Sequence, residues 1–179
     1  MNESTSNDNL DRLCIVGIIL NAESEQPEIY GLMIETETDD MVTDQGDLLF
    51  VTDIKGIESI FSFANDEIRA RFELPTEATE TVDLALALYL LQNEDADQNA
   101  EILDSLNLIF DLMRAINAEI PAERKKTLYG LADFLTFDND LAGYLERSGV
   151  SRHEVIDHII WCCGMLMTHS RILSGIVKD

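Results

Sequence analysis

His158 and Cys162 stand four residues apart in an apolar segment, which is one turn of an α-helix. At that spacing an imidazole and a thiol can share a metal ion or act as a thiolate–imidazole pair. Either use needs further ligands, or an orienting acid, from elsewhere in the fold. Met165 and His169 continue the same line, but His158 and His169 are eleven residues apart. That is about 16 Å along a helix axis, so one ion cannot hold both. The chain has no Cys-x-x-Cys and no His-Glu-x-x-His, and no metal or cofactor is expected. The alternative for these residues is a core in which cysteine and methionine fill space and histidine sits neutral with a hydrogen-bond partner.

A second constellation is purely acidic. Glu35, Glu37, Asp39, Asp40, Asp44 and Asp47 place six carboxylates, and no base, within thirteen residues. Like charges this close repel one another and have to be held by the fold. Such a strip suits docking of a cationic partner, or mimicry of a phosphate backbone. A third constellation, Asn93 to Asn99, has side-chain oxygens at alternate positions like a calcium loop. It lacks the glycine at the sixth position, where Gln98 stands, and Asp104 replaces the bidentate glutamate at the twelfth. A solvated acidic loop is expected there.

Leu141 to Val155 resembles the helix-turn-helix motif, with Gly149-Val150-Ser151 at the turn. The resemblance spans about 20 residues and departs at the positions that matter. Leu145 stands where the motif prefers alanine, Ser148 and His158 where it wants apolar residues. Glu154 and Asp157 lie on the would-be recognition helix. DNA affinity comes largely from neutralising phosphates with lysine and arginine, and this chain carries 35 acids against 12 bases, net −23. Two helices joined by a tight glycine turn account for the segment. No direct binding to nucleic acid is expected.

The charge is unevenly spread. Residues 1–118 hold 26 acids and 5 bases, residues 119–179 hold 9 and 7. A field of this sign repels nucleic acid and anionic membranes and attracts basic proteins or cations. Three cysteines, two of them adjacent, do not make a disulfide framework, which points to a reducing compartment. Met1 to Asp11 is polar with no lysine or arginine, and the apolar run Leu13–Leu20 is eight residues long. That is neither a secretory signal nor a membrane span. The expectation is a soluble, cytoplasmic protein.

The elements that position these groups follow from periodicity. Residues 1–10 are expected to be a disordered tail and 11–179 a single α+β domain. Leu13–Leu20 is apolar on both faces and predicts a buried central strand. Ile29–Thr38 and Leu48–Val51 predict two more, joined by short turns into a three-stranded antiparallel meander. Asp53 caps a helix over Ile54–Ile68. Val82–Leu90 is ambiguous, its leucines alternating like a strand but its Leu/Ala composition favouring the buried helix expected here. Ile102, Leu106, Ile109, Met113 and Ile116 keep an amphipathic rhythm. Leu128, Leu131, Phe134 and Leu135 line the next helix after Pro121, and Asp138 or Asp140 caps a short one that Gly149 ends. Ser151–Lys178, opened by the capping box Ser151-Arg152-His153-Glu154, is apolar over most of its circumference. It is expected to be the central helix of a bundle of five to six.

The function these features fit is a non-enzymatic acidic interaction protein. Its strip from Glu35 to Asp47 would bind and occlude a basic protein, as an inhibitor, an immunity protein or a DNA mimic does. One alternative is a small-molecule or enzymatic site lined by His158 and Cys162. Another is a structural domain, since an apolar helix serves a core or a homodimer seam equally well.

Overall fold

The computed structural model describes residues 11–36, 38–93 and 99–174. The expected tail, Glu37, the acidic loop from 94 to 98 and residues 175–179 lie outside them. The architecture is α+β, with seven α-helices and two small sheets among the described residues.

β1 (Arg12–Ile19) is central, as its two apolar faces require. It pairs antiparallel with β2 (Ile29–Glu35) on one side and parallel with β6 (Glu80–Asp83) on the other. β3 (Asp40–Met41) extends the sheet beyond β2, giving the order β3-β2-β1-β6. β4 (Thr43–Asp44) and β5 (Asp47–Phe50) form a tight hairpin turned by Gln45 and Gly46, both at positive φ. The second sheet runs β4-β5-β7, with β7 (Ser170–Ile172) parallel to β5. The predicted meander therefore holds for its first two strands. The third meets β2 only where Tyr30 and Val51 exchange backbone hydrogen bonds of 2.8 and 3.0 Å.

Strand alternation sorts side chains into two cores. Cys14, Val16, Ile18, Met33, Met41, Leu48 and Phe50 face the main helical bundle. Leu13, Ile15, Leu32, Val42, Leu49 and Val51 face a smaller layer. That layer contains α1 (Ile57–Phe61) and α2 (Asp66–Arg71), which divide the single helix predicted over 54–68. The break falls at Asn65, whose side chain caps α2 by accepting the amide of Ile68.

The ambiguous segment at 82–90 is both things in turn. Val82 and Asp83 finish β6, and α3 (Leu84–Gln92) starts at once, with Asp83 accepting the Leu86 amide at 2.8 Å as its N-cap. α4 (Ala100–Ala115) follows, then α5 (Ala122–Asp138), α6 (Leu141–Ser148) and α7 (Arg152–Thr168). Asp140 caps α6, Gly149 ends it in the left-handed region, and the Ser151 hydroxyl accepts the Glu154 amide at 3.2 Å.

The expected central helix is corrected in two ways. α7 stops at Thr168, ten residues short of Lys178, because the following residues leave the helix to pair with β5. And α7 buries Val155, Ile159, Cys162 and Leu166, while Ile160 and Met167 are exposed. The hub is α4, which packs against α3, α5 and α7 and crosses the sheet from β6 to β3. It buries Ile102, Ser105, Leu106, Leu108, Ile109, Leu112 and Met113.

Candidate functional site

The acidic strip does not stand bare. Glu35, at the end of β2, forms a two-pronged ion pair with Arg12 across the β1–β2 ladder, one arm 2.8 Å long. The Arg12 guanidinium holds its carboxyl below the usual range. At the other end, Arg171 of β7 pairs with Asp44 and lies 3.4 Å from Asp47. His169 Nδ1 is 3.8 Å from Asp47. Between these ends, Asp39 Oδ1 accepts the Thr36 amide at 3.3 Å, and its carbonyl accepts from Arg114 of α4. Asp40 is exposed in β3. Glu37 lies outside the described residues. The strip is thus two parts: a hairpin tip whose two carboxylates share Arg171 of β7, and a β2–β3 end facing α4.

The fold adds acids to that second part which sequence spacing does not link to it. Glu80 of β6 has its carboxyl pushed up, first by burial and then by the charges of Glu35, Asp104 and Asp39. Asp104 of α4 is pushed up by burial and by Glu101. Asp111 is pushed up by burial and by Asp39 and Asp40, against the opposing pull of Arg114 at 2.8 Å. Crowding of like charge disfavours the ionised form of each. Along the rim where α4 crosses the sheet from β6 to β3, Glu35, Asp39, Asp40, Glu80, Asp104 and Asp111 therefore share one field, against Arg12 and Arg114. Among the described residues, no group of three or more His, Cys, Asp or Glu is placed to hold a metal ion.

His158 and Cys162 sit on α7 one turn apart, but different neighbours claim them. Arg124 of α5 donates to His158 Nδ1 at 2.8 Å, and because arginine only donates, the ring proton is on Nε2. The same guanidinium lies 5.3 Å from the centre of the Trp161 ring, a cation–π contact. Glu154 is 3.9 Å from His158 Nε2. Cys162 is fully buried, and burial pushes its thiol up to about 11. A thiol in that state is a core side chain rather than a nucleophile at neutral pH. In the native protein, a maleimide at neutral pH is therefore expected to leave Cys14 and Cys162 unmodified and to reach, slowly, only the partly exposed Cys163, whose thiol is also pushed up by burial. All three should react once urea unfolds the chain. Peptide mass spectrometry reads this directly, and rapid native labelling of Cys162 would restore the thiolate reading.

No helix among the described residues is long and apolar enough to cross a membrane. No family model matches the chain, and no curated protein or solved structure matches it. A functional reading accordingly rests on this geometry and charge.

Proposed function

We propose that this is a non-enzymatic interaction protein that binds a basic protein partner through the acidic rim at β3, β6 and α4, and acts by covering the partner's cationic surface. The observation that carries the reading is the placement of Glu80, Asp104 and Asp111 beside Glu35, Asp39 and Asp40 where α4 crosses the sheet, against Arg12 and Arg114. Burial first, and neighbouring like charge second, pushes the carboxyls of Glu80, Asp104 and Asp111 up. Neutral or protonated groups would fold there with less repulsion. A cation arriving at the rim relieves that repulsion, so part of the field's cost to the free protein becomes attraction in the complex. The hairpin tip, with Asp44 and Asp47 held by Arg171, contributes less.

The test is charge-matched. Native protein on a column is loaded with cell lysate at low ionic strength, eluted along a salt gradient and read by mass spectrometry. One stoichiometric basic protein is expected, released as salt shortens the Debye length. A variant with Asp39→Asn, Asp40→Asn, Glu80→Gln and Asp104→Asn should lose at least about tenfold in affinity for it, about 1.4 kcal/mol. A control neutralising Asp53, Glu58, Asp66 and Glu67, in and around the small layer on the other side of the sheet, removes the same charge and should leave affinity near wild type. Equal losses in both variants would mean that net charge, not this rim, does the binding.

A further inference from the structure

The basic run Arg124-Lys125-Lys126 is the one cluster of positive charge in the sequence, and the fold divides it. Arg124 turns inward to His158 and Trp161. Lys125 turns the other way, its Nζ 5.4 Å from the centre of the Tyr129 ring, with no ion pair to any carboxylate among the described residues. It faces an open cleft of about 340 Å³ between the C-terminal end of α4 and the start of α5. Arg114 enters the same cleft from α4, held in place by Asp111 and by the Asp39 carbonyl. Phe110 and Tyr129, stacked 4.1 Å apart at 24°, make an aromatic wall. Ala118 and Ile120 add apolar lining, and Glu119 and Asn117 add polar groups.

We propose that this cleft binds a nucleoside monophosphate or a closely similar phosphate that carries a flat ring and hydroxyl groups. Each part of the ligand has a counterpart. Two cations from different helices suit a phosphate, the guanidinium through its planar fork and the ammonium as a point charge. Phe110 covers one face of the Tyr129 ring and Lys125 lies over the ring, so a base stacks on this tyrosine as the lysine swings off it to the phosphate. Glu119 can only accept when ionised, so it repels the phosphate end but takes a hydrogen bond from a hydroxyl. Its presence favours a sugar-bearing ligand over a plain aromatic acid. The volume falls at the small end of the range for ligand sites, roughly 300–1,000 Å³, which suits one nucleotide rather than a dinucleotide. The site borders the acidic rim and shares Arg114 with it, through Asp111 and the Asp39 carbonyl, but takes an anionic ligand where the rim takes a cationic one.

Calorimetric titration of the full chain with AMP at physiological salt tests this. Saturable one-to-one binding is expected, weakened about tenfold by Lys125→Glu and less than about twofold by Lys126→Glu, which makes the same charge change outside the cleft. Ribose 5-phosphate and adenosine should each bind more weakly than AMP, since each lacks one half of the match. Absence of saturation at millimolar AMP overturns the proposal, as does an equal loss in the two lysine variants. Ribose 5-phosphate binding as tightly as AMP would overturn the assignment of the aromatic wall. Both lysines are exposed, so unfolding of the variants is not expected to confuse the result, and a circular-dichroism melt checks it.

Discussion

Leu106→Ala is expected to destabilise the protein by about 3–4 kcal/mol, and Ile109→Ala by a similar amount. Both side chains are fully buried on the helix that touches three other helices and both β3 and β6. Deleting three methyl or methylene groups there leaves a cavity walled by elements that cannot all close on it, so little of the loss is recovered. Met167→Ala and Ile160→Ala on α7 make the sharp comparison. With 78% and 55% of their surfaces exposed, they should cost less than about 0.5 kcal/mol each. Urea unfolding measures all four, read as a change in midpoint at constant m-value. If the α7 substitutions cost as much as the α4 ones, those exposed side chains are covered by something, a second copy of the chain included.

The same pair of helices shows what a sequence can and cannot say. The α4 rhythm was legible to the residue: Ile102, Leu106, Ile109, Met113 and Ile116 are all buried, because a single period of burial leaves an unambiguous trace. The caps at Asp53, Asp140 and Ser151 and the left-handed Gly149 were legible for a similar reason, since each is a bond between near neighbours. α7 misled because it is apolar nearly all round, and an apolar residue is free to sit on a surface while a polar one is not free to sit in a core. At 82–90 the Leu/Ala composition decided: the alternating leucines from Leu84 to Leu90 are all helical, and only Val82 and Asp83 end a strand. The candidate site was half legible. The acids stand together in the chain, but the arginines that hold the Glu35 carboxylate, the Asp39 carbonyl and the Asp44 carboxylate come from 23, 75 and 127 residues away. Glu80 reaches the rim because β6 pairs with β1, and Asp104 and Asp111 because α4 crosses the sheet. Neither fact has any local trace.

Ending the chain at His169 is the second large effect, expected to cost about 2–4 kcal/mol. The missing residues are those that leave α7 for β7, where helix periodicity predicts that they continue. They do so because β5 offers a ladder on its open side. Leu48 donates to the His169 carbonyl at 2.7 Å, and Leu173 donates to the Phe50 carbonyl at 2.7 Å. Removing β7 takes away the latter bond and the rest of the parallel pairing, each worth about 1 kcal/mol net. It also removes the packing of Leu173 on the smaller core, and the Arg171 ion pairs, which at their exposure add no more than about 1 kcal/mol. Arg171→Gln separates the contributions: it keeps the strand, loses the pairs, and should fall within about 1 kcal/mol of wild type in the same urea measurement. The truncated chain should also self-associate on concentration, because an uncovered strand edge is a template for another. A loss no greater than that of Arg171→Gln would mean that β7 is bound by charge alone. In that case the hairpin tip carrying Asp44 and Asp47 is available to a cationic partner after all, and the interaction surface extends from the rim at α4 to the whole strip.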